Sequence, residues 1–332
     1  MNFTILKKTI LILGISLILL SIIMIFSNIK YGFEVFSSSI LVILTGAFIP
    51  VNPTRKKLKQ DDEKTVNSFP NIIQSVLITG IVILGMLTVV QMKLWLNKLI
   101  SKEASMLIGY VLAFGVPFLF VHSFKKNKTG RSSFNLNIEN KRIIPYLIIG
   151  SIALLFGIIS PIGSLIPMPE NIKESFIQLV GQTGFYTFIL MVIAAPVLEE
   201  LIFRGIILEG LLKKYSPLTS IIMSSLLFGI AHFNPWQFVT GLMIGIFSGW
   251  VYYKTRSLMP SIIIHAVANL GGGLSRHFTD FDSTMNQNFL ERYGGLTNLM
   301  LLIIGSLIVV SICIYYLKKE FEKMEIRVGS TQ

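Results

Sequence analysis

Charge is scarce in this chain: Asp, Glu, Lys and Arg make up 14% of its 332 residues, and the mean hydropathy is +0.70. A soluble domain of this length needs far more polar surface, so the composition excludes one. Cysteine is nearly absent. Cys313 stands alone in a late apolar run, which excludes an intrachain disulfide and reads as a small packing residue. Aspartate never falls inside an apolar run, and His-Glu-x-x-His does not occur, which excludes the zinc site built on that motif. No internal repeat or low-complexity tract is evident.

What is there is a series of apolar runs, ten in all, at about Ile10–Ser27, Phe33–Val51, Phe69–Met92, Ala104–Val121, Ile144–Ile166, Phe185–Leu212, Pro217–Phe233, Trp236–Tyr253, Met259–Leu270 and Leu296–Leu317. Each reads as a membrane helix, because an open backbone in lipid cannot satisfy its own polar groups. The fold class predicted is an all-α polytopic membrane protein of about eight to ten transmembrane helices. The ninth run is short and reads as a buried segment or one starting below the lipid surface. The first follows Lys7-Lys8, exceeds the apolar core of a signal peptide and has no small-x-small site, so it reads as an uncleaved span.

The net charge of +12 is distributed as short basic clusters between the runs. With a cytoplasmic N-terminus, 21 Lys and Arg fall on the inner side and 7 on the outer, with Arg204 inside the membrane. That bias predicts a multi-pass cell-membrane protein with both termini cytoplasmic, in contact with the bilayer and not with nucleic acid. The loops at 54–68 and 123–142 read as solvated connectors. Trp95, Trp236, Trp250, Tyr252 and Tyr253, at span ends, read as interfacial anchors.

Polar chemistry concentrates between Phe185 and Asn269, while the first four spans carry almost none. Glu199-Glu200-x-x-Phe203-Arg204 interrupts the sixth span, Phe228-x-x-x-His232 closes the seventh, and His265-x-x-x-Asn269 lies in the ninth. Ionisable side chains at membrane depth are costly and mark functional positions. At helical spacing Glu200 and Arg204 can pair, while Glu199 points about 100° away and stays free for chemistry. At 1.5 Å per residue, Glu199 lies roughly 20 Å from either end of its run, whereas His265 is only about 9 Å past Met259. Convergence therefore needs tilted helices or a deep start to the ninth, and a cytosol-facing funnel to a mid-membrane site would reconcile the depths. Gly241, Gly245 and Gly249, at small-xxx-small spacing, would permit the close packing required. His122 and His277, beside basic residues at span ends, read as bystanders, His277 in the outer loop.

These three motifs in this order, with Gly245-x-x-x-Gly249 and Tyr252-x-x-Thr255-Arg256-Ser257-Leu258, resemble the CPBP intramembrane proteases over about residues 185–270. That family includes the type II CAAX prenyl endopeptidases and bacterial relatives linked to bacteriocin processing and self-immunity. The resemblance implies a conical catalytic helical bundle at 144–317; the N-terminal transmembrane helices at 1–143 carry no assigned role, and 318–332 reads as a cytoplasmic tail. It implies that Glu199 and His232 activate a water and that His265 and Asn269 line an oxyanion hole. Glu200 and Arg204, with Phe203 and Phe228, would orient the site or bind substrate. A carboxylate in an apolar site can serve as a base near neutrality, which agrees with that role for Glu199. No metal is expected to be obligatory, although Glu199, His232 and His265 would make a His₂Glu zinc set. Other intramembrane protease types fit poorly: Gly-x-Gly-Asp is absent, and Gly245-Ile246-Phe247-Ser248-Gly249 is one residue off Gly-x-Ser-Gly. The expected substrate is a membrane-associated or lipid-modified peptide or protein, in maturation of a peptide signal or bacteriocin or immunity to one. A non-proteolytic scaffold that regulates a partner such as a sensor kinase is the alternative.

Overall fold

The computed structural model describes residues 69–130, 133–166, 184–232, 234–278 and 287–329. The first two apolar runs and the 54–68 loop lie outside these residues. Among the described residues every ordered element is helical: α1 Ile72–Leu96, α2 Lys102–Thr129, α3 Lys141–Ser164, α4 Phe185–Leu211, α5 Pro217–Ala231, α6 Pro235–Thr255, α7 Leu258–Phe278, the short α8 Phe289–Arg292, and α9 Leu296–Gly329. Five of them (α1 to α4 and α9) are long and apolar enough to cross a membrane, and two shorter apolar helices join them at 217–231 and 258–274. The chain is an all-α, multi-pass membrane protein.

Local chemistry sets the helix ends. Ser101 caps α2 by accepting from the Ala104 amide, and Ser216 caps α5 in the same way through Thr219, with Pro217 in the first turn. Asn234 caps α6 ahead of Pro235, so proline ends one helix and opens the next, as its missing amide and fixed φ favour. Arg256 takes a left-handed φ of 51° to end α6, and the Leu258 amide donates to the Asn135 carbonyl as α7 begins.

The described residues pack around two large apolar clusters. One joins α1 and α2 (Ile78, Val82, Phe114, Val121) to Ile202, Phe203, Ile206 and Ile207 of α4 and to Leu227 and Phe228 of α5. The other joins Leu147 of α3, Ile244 and Val251 of α6, Ile264 of α7 and Phe321 of α9. The division at 143/144 therefore does not separate the packing, since α1 and α2 share a core with the motif-bearing helices.

The structure corrects several expectations. The ninth run is not short: α7 has 21 residues and passes through Gly271-Gly272-Gly273, with Gly271 held close to Leu155 and Phe156. It carries Arg276 and His277 in its last turn, so His277 is not in a loop. α2 continues two turns past Val121, and Lys125 is buried there rather than solvated. The expected tail continues as α9, where Phe321 packs against Trp250 and Glu320 accepts from Asn140. Trp250 is half-buried against Phe321, and Tyr252 is buried and donates its hydroxyl to Glu209. Trp95 is exposed at the end of α1. His122 stacks on Phe118, and Cys313 packs beside Gly150.

α5 and α6 approach through glycine. A Cβ at Gly241 would stand 3.0 Å from Gly229 Cα, one at Gly245 3.0 Å from Ser225 Cβ, and one at Gly229 2.9 Å from the Phe238 carbonyl oxygen. Backbone cannot yield as a side chain can, so Gly229→Ala is expected to destabilise by about 1–3 kcal/mol. Thermal unfolding in detergent measures this against Gly272→Ala, where nothing lies within 4 Å of the new methyl.

Candidate active site

Glu200 and Arg204 lie one turn apart on α4, and both are fully buried. Their side chains meet at 2.9 Å, Arg204 NH1 to Glu200 Oε1. Arg204 NH2 donates to the Ser248 hydroxyl at 2.6 Å and to the Gly245 carbonyl at 3.2 Å, both on α6. Its guanidinium carbon sits 4.6 Å over the Phe228 ring, a cation–π contact from α5. The Arg204 terminal nitrogens are both engaged by protein groups of α4 and α6.

Glu199, one residue earlier, faces the opposite partners. Its Oε1 accepts from the Tyr110 hydroxyl of α2. Its Oε2 is buried without a hydrogen-bond partner and stands 3.9 Å from His232 Nε2 and 3.8 Å from His265 Nε2. The other nitrogen of each ring faces an oxygen: His232 Nδ1 is 2.9 Å from the Phe228 carbonyl, and His265 Nδ1 is 3.1 Å from Glu200 Oε1. Because a carbonyl and an ion-paired carboxylate only accept, each Nδ1 carries a proton, and in the neutral ring Nε2 then presents a lone pair. Phe228 presents its ring near edge-on to both imidazoles, with centroids 5.0 and 5.4 Å away. Phe203 packs against Phe228, and both are fully buried. These two phenylalanines back the site and do not line an open surface.

The depth mismatch read from the sequence is closed by the α6–α7 turn. Ser257 and Leu258 are buried, so α7 starts inside the protein and carries His265 to the level of Glu199. His232 is the most accessible of the three, with its side chain 21% exposed against 6% for Glu199 and for His265. Asn269 is placed differently from its expected partner: its amide donates to the Met191 carbonyl at 2.8 Å, in a π-helical turn of α4, which leaves one N–H for other use. Seven of the eight residues singled out in the sequence thus form one connected cluster, and Asn269 adjoins it through the backbone of α4.

Tyr110 is the residue that sequence reasoning missed. A tyrosine in an apolar span reads as packing, and nothing in its local pattern sets it apart. Lys125, also of α2, donates to the Gly205 carbonyl at 2.8 Å and was missed because it falls in the stretch read as the solvated connector 123–142. The expectation that the first four spans carry almost no polar chemistry fails on Tyr110.

His232 and His265 Nε2 stand 3.9 and 3.8 Å from Glu199 Oε2, wider than the edge of about 3.3 Å that bonds of about 2.0–2.1 Å in a tetrahedral site impose. Among the described residues no group of three His, Cys, Asp or Glu side chains is gathered to hold a metal ion. The residues as placed do not fit zinc, and no step below passes through one.

Removing one member of a buried ion pair leaves the other charge uncompensated, which costs about 3–5 kcal/mol. Glu200→Ala is expected to lower the thermal midpoint by that amount of stability. Arg204→Lys is expected to lose most of it too, since an ammonium cannot reach Glu200, Ser248 and Gly245 as the planar fork does. Thermal unfolding of the purified variants is the measurement.

With this geometry in place, comparison with known proteins is informative. Residues 181–271 match the family described as type II CAAX prenyl endopeptidase Rce1-like, a segment that holds all eight sequence-predicted site residues and excludes Tyr110. The chain is similar to the UPF0177 protein YxdF of Lactococcus lactis subsp. lactis (strain IL1403), at 33% identity over 82 residues. That match covers 24% of this chain and 45% of the relative, so the chain spans less than half the length of the curated relative it matches. No solved structure matches it. The resemblance read from the sequence holds: over residues 181–271 the chain matches the Rce1-like family of type II CAAX prenyl endopeptidases.

Proposed function

We propose that the chain is an intramembrane endopeptidase that hydrolyses a peptide bond of a membrane-associated or lipid-modified peptide or protein. Maturation of a peptide signal or bacteriocin, or immunity to one, is the role we assign to it. The observation that carries this reading is the meeting of Glu199 Oε2 with His232 Nε2 at 3.9 Å and His265 Nε2 at 3.8 Å, which with both rings neutral are three proton acceptors. Acceptors alone repel one another, and a water donating to Glu199 and to one ring resolves the conflict.

Such a water is positioned to become a nucleophile. Glu199 takes its proton, His232 holds the oxygen, and attack on the scissile carbonyl places negative charge on the carbonyl oxygen. The free N–H of Asn269 is one donor for that charge. His265 becomes a second when its Nε2 receives from Glu199 the proton taken from the water, and the Glu200 carboxylate on Nδ1 stabilises the imidazolium so formed. That same proton passes to the amine nitrogen as the carbonyl re-forms and the C–N bond breaks. Metal is not obligatory in this scheme.

Glu199→Ala and His232→Ala, expressed in membranes at the parent's level, are expected to reduce release of the processed peptide at least about 100-fold by mass spectrometry of cell supernatants. Parent-like peptide profiles and phenotype in both variants would sink the reading in favour of a non-proteolytic scaffold that regulates a partner such as a sensor kinase. Treating the purified protein with EDTA is expected to leave Glu199-dependent cleavage intact. Loss restored by zinc would instead place Glu199, His232 and His265 around a metal.

A further inference from the structure

Tyr110 lies 89 residues from Glu199 in sequence and outside the segment that matches the Rce1-like family, yet its hydroxyl donates to Glu199 Oε1. Its ring is stacked on Phe114, one turn along α2, with centroids 4.6 Å apart and planes at 18°. Phe114 is buried in the core shared with Phe203 and Phe228. The phenol is thus carried on a ring with little freedom of its own. A free carboxylate has two equivalent oxygens and can turn about its last bond. Here one oxygen is occupied by Tyr110 and the other is directed at two imidazole nitrogens.

We propose that Tyr110 is a positioning residue for the hydrolysis proposed above. By holding Oε1 it makes Oε2 the basic oxygen and keeps it in the plane where it meets His232 and His265. The inference rests on the peptidase reading, because it assigns Oε2 a proton to take. It also extends the catalytic unit into the N-terminal helices: α2 supplies Tyr110 on one side, and Lys125 of the same helix fixes the α4 backbone at Gly205.

The test is Tyr110→Phe in the full chain, which keeps the ring and its stack on Phe114 and removes only the hydroxyl. In difference infrared spectra of purified protein, the carboxylate band that Glu199→Ala abolishes is expected to shift in Tyr110→Phe; an unmoved band overturns the contact. In assays on a synthetic copy of the peptide bond whose cleavage in cells depends on Glu199, kcat is expected to fall about 10- to 100-fold with KM within about twofold. Adding Tyr110→Phe to Glu199→Ala is expected to cost nothing further, as for two groups acting through one. Parent-like kcat in Tyr110→Phe beside an inactive Glu199→Ala overturns the role of Tyr110 alone. If no cleavage in cells depends on Glu199, the peptidase reading falls and the positioning role with it, whatever the infrared band reports of the contact.

Discussion

A guanidinium with no exposed surface in an apolar bundle is the constraint on which the rest of this structure depends. Desolvating it costs several kcal/mol unless every charge is answered at short range. Arg204 is answered from three helices at once: Glu200 on its own helix at 2.9 Å, Ser248 and Gly245 on α6 at 2.6 and 3.2 Å, and the face of Phe228 on α5 at 4.6 Å. Those contacts hold only in one register of α4, α5 and α6. Glycines at 229, 241 and 245 let α5 and α6 come close enough for that register to exist. Polar satisfaction and small-residue packing therefore enforce one arrangement, where apolar side chains alone would tolerate several.

The same pair orders the chemistry beside it. Glu200 accepts from both Arg204 and His265, so the salt bridge fixes the tautomer of a histidine that belongs to the neighbouring site. Residues in sequence on a helix point about 100° apart, which lets Glu200 serve the scaffold while Glu199 serves the acceptor cluster. Two adjacent carboxylates thus take separate roles through their partners: a guanidinium and the Nδ1 of His265 for Glu200, a phenol and two imidazole Nε2 atoms for Glu199.

Much of this was legible in the chain. The eight apolar runs that fall on described residues are all helices, and Pro217, Pro235 and Leu296 sit at or within a residue of the starts expected for them. Glu199, Glu200, Arg204, His232 and His265 stood out because ionisable groups are rare and costly in lipid, which makes each one informative. Tyr110 did not stand out, because tyrosine is ordinary in an apolar helix and its pairing with Glu199 is a tertiary contact across 89 positions. The length of α7 was misjudged because the apolar run stops at Leu270, ahead of Gly271-Gly272-Gly273. Tertiary contact with Leu155 and Phe156 keeps it helical.

The π-helical turns of α4 were beyond sequence reasoning altogether, and they explain why outside side chains are needed. Leu190–Ala194 and Phe203–Leu208 flank the carboxylates on either side. A π turn widens the helix and disturbs its regular carbonyl pairing, which lipid cannot repair. Three carbonyls within these turns accept from side chains of other helices: Met191 from Asn269, Phe203 from Ser224 and Gly205 from Lys125. Asn269, Ser224 and Lys125 come from α7, α5 and α2, so the segment bearing Glu199 is fixed from three sides by bonds to its backbone. Asn269 therefore has a structural duty before any chemical one, and losing its side chain would disturb α4 as well as an oxyanion. The helix that carries the carboxylates is irregular where it needs to aim them, and its neighbours supply the polar groups that make the irregularity stable.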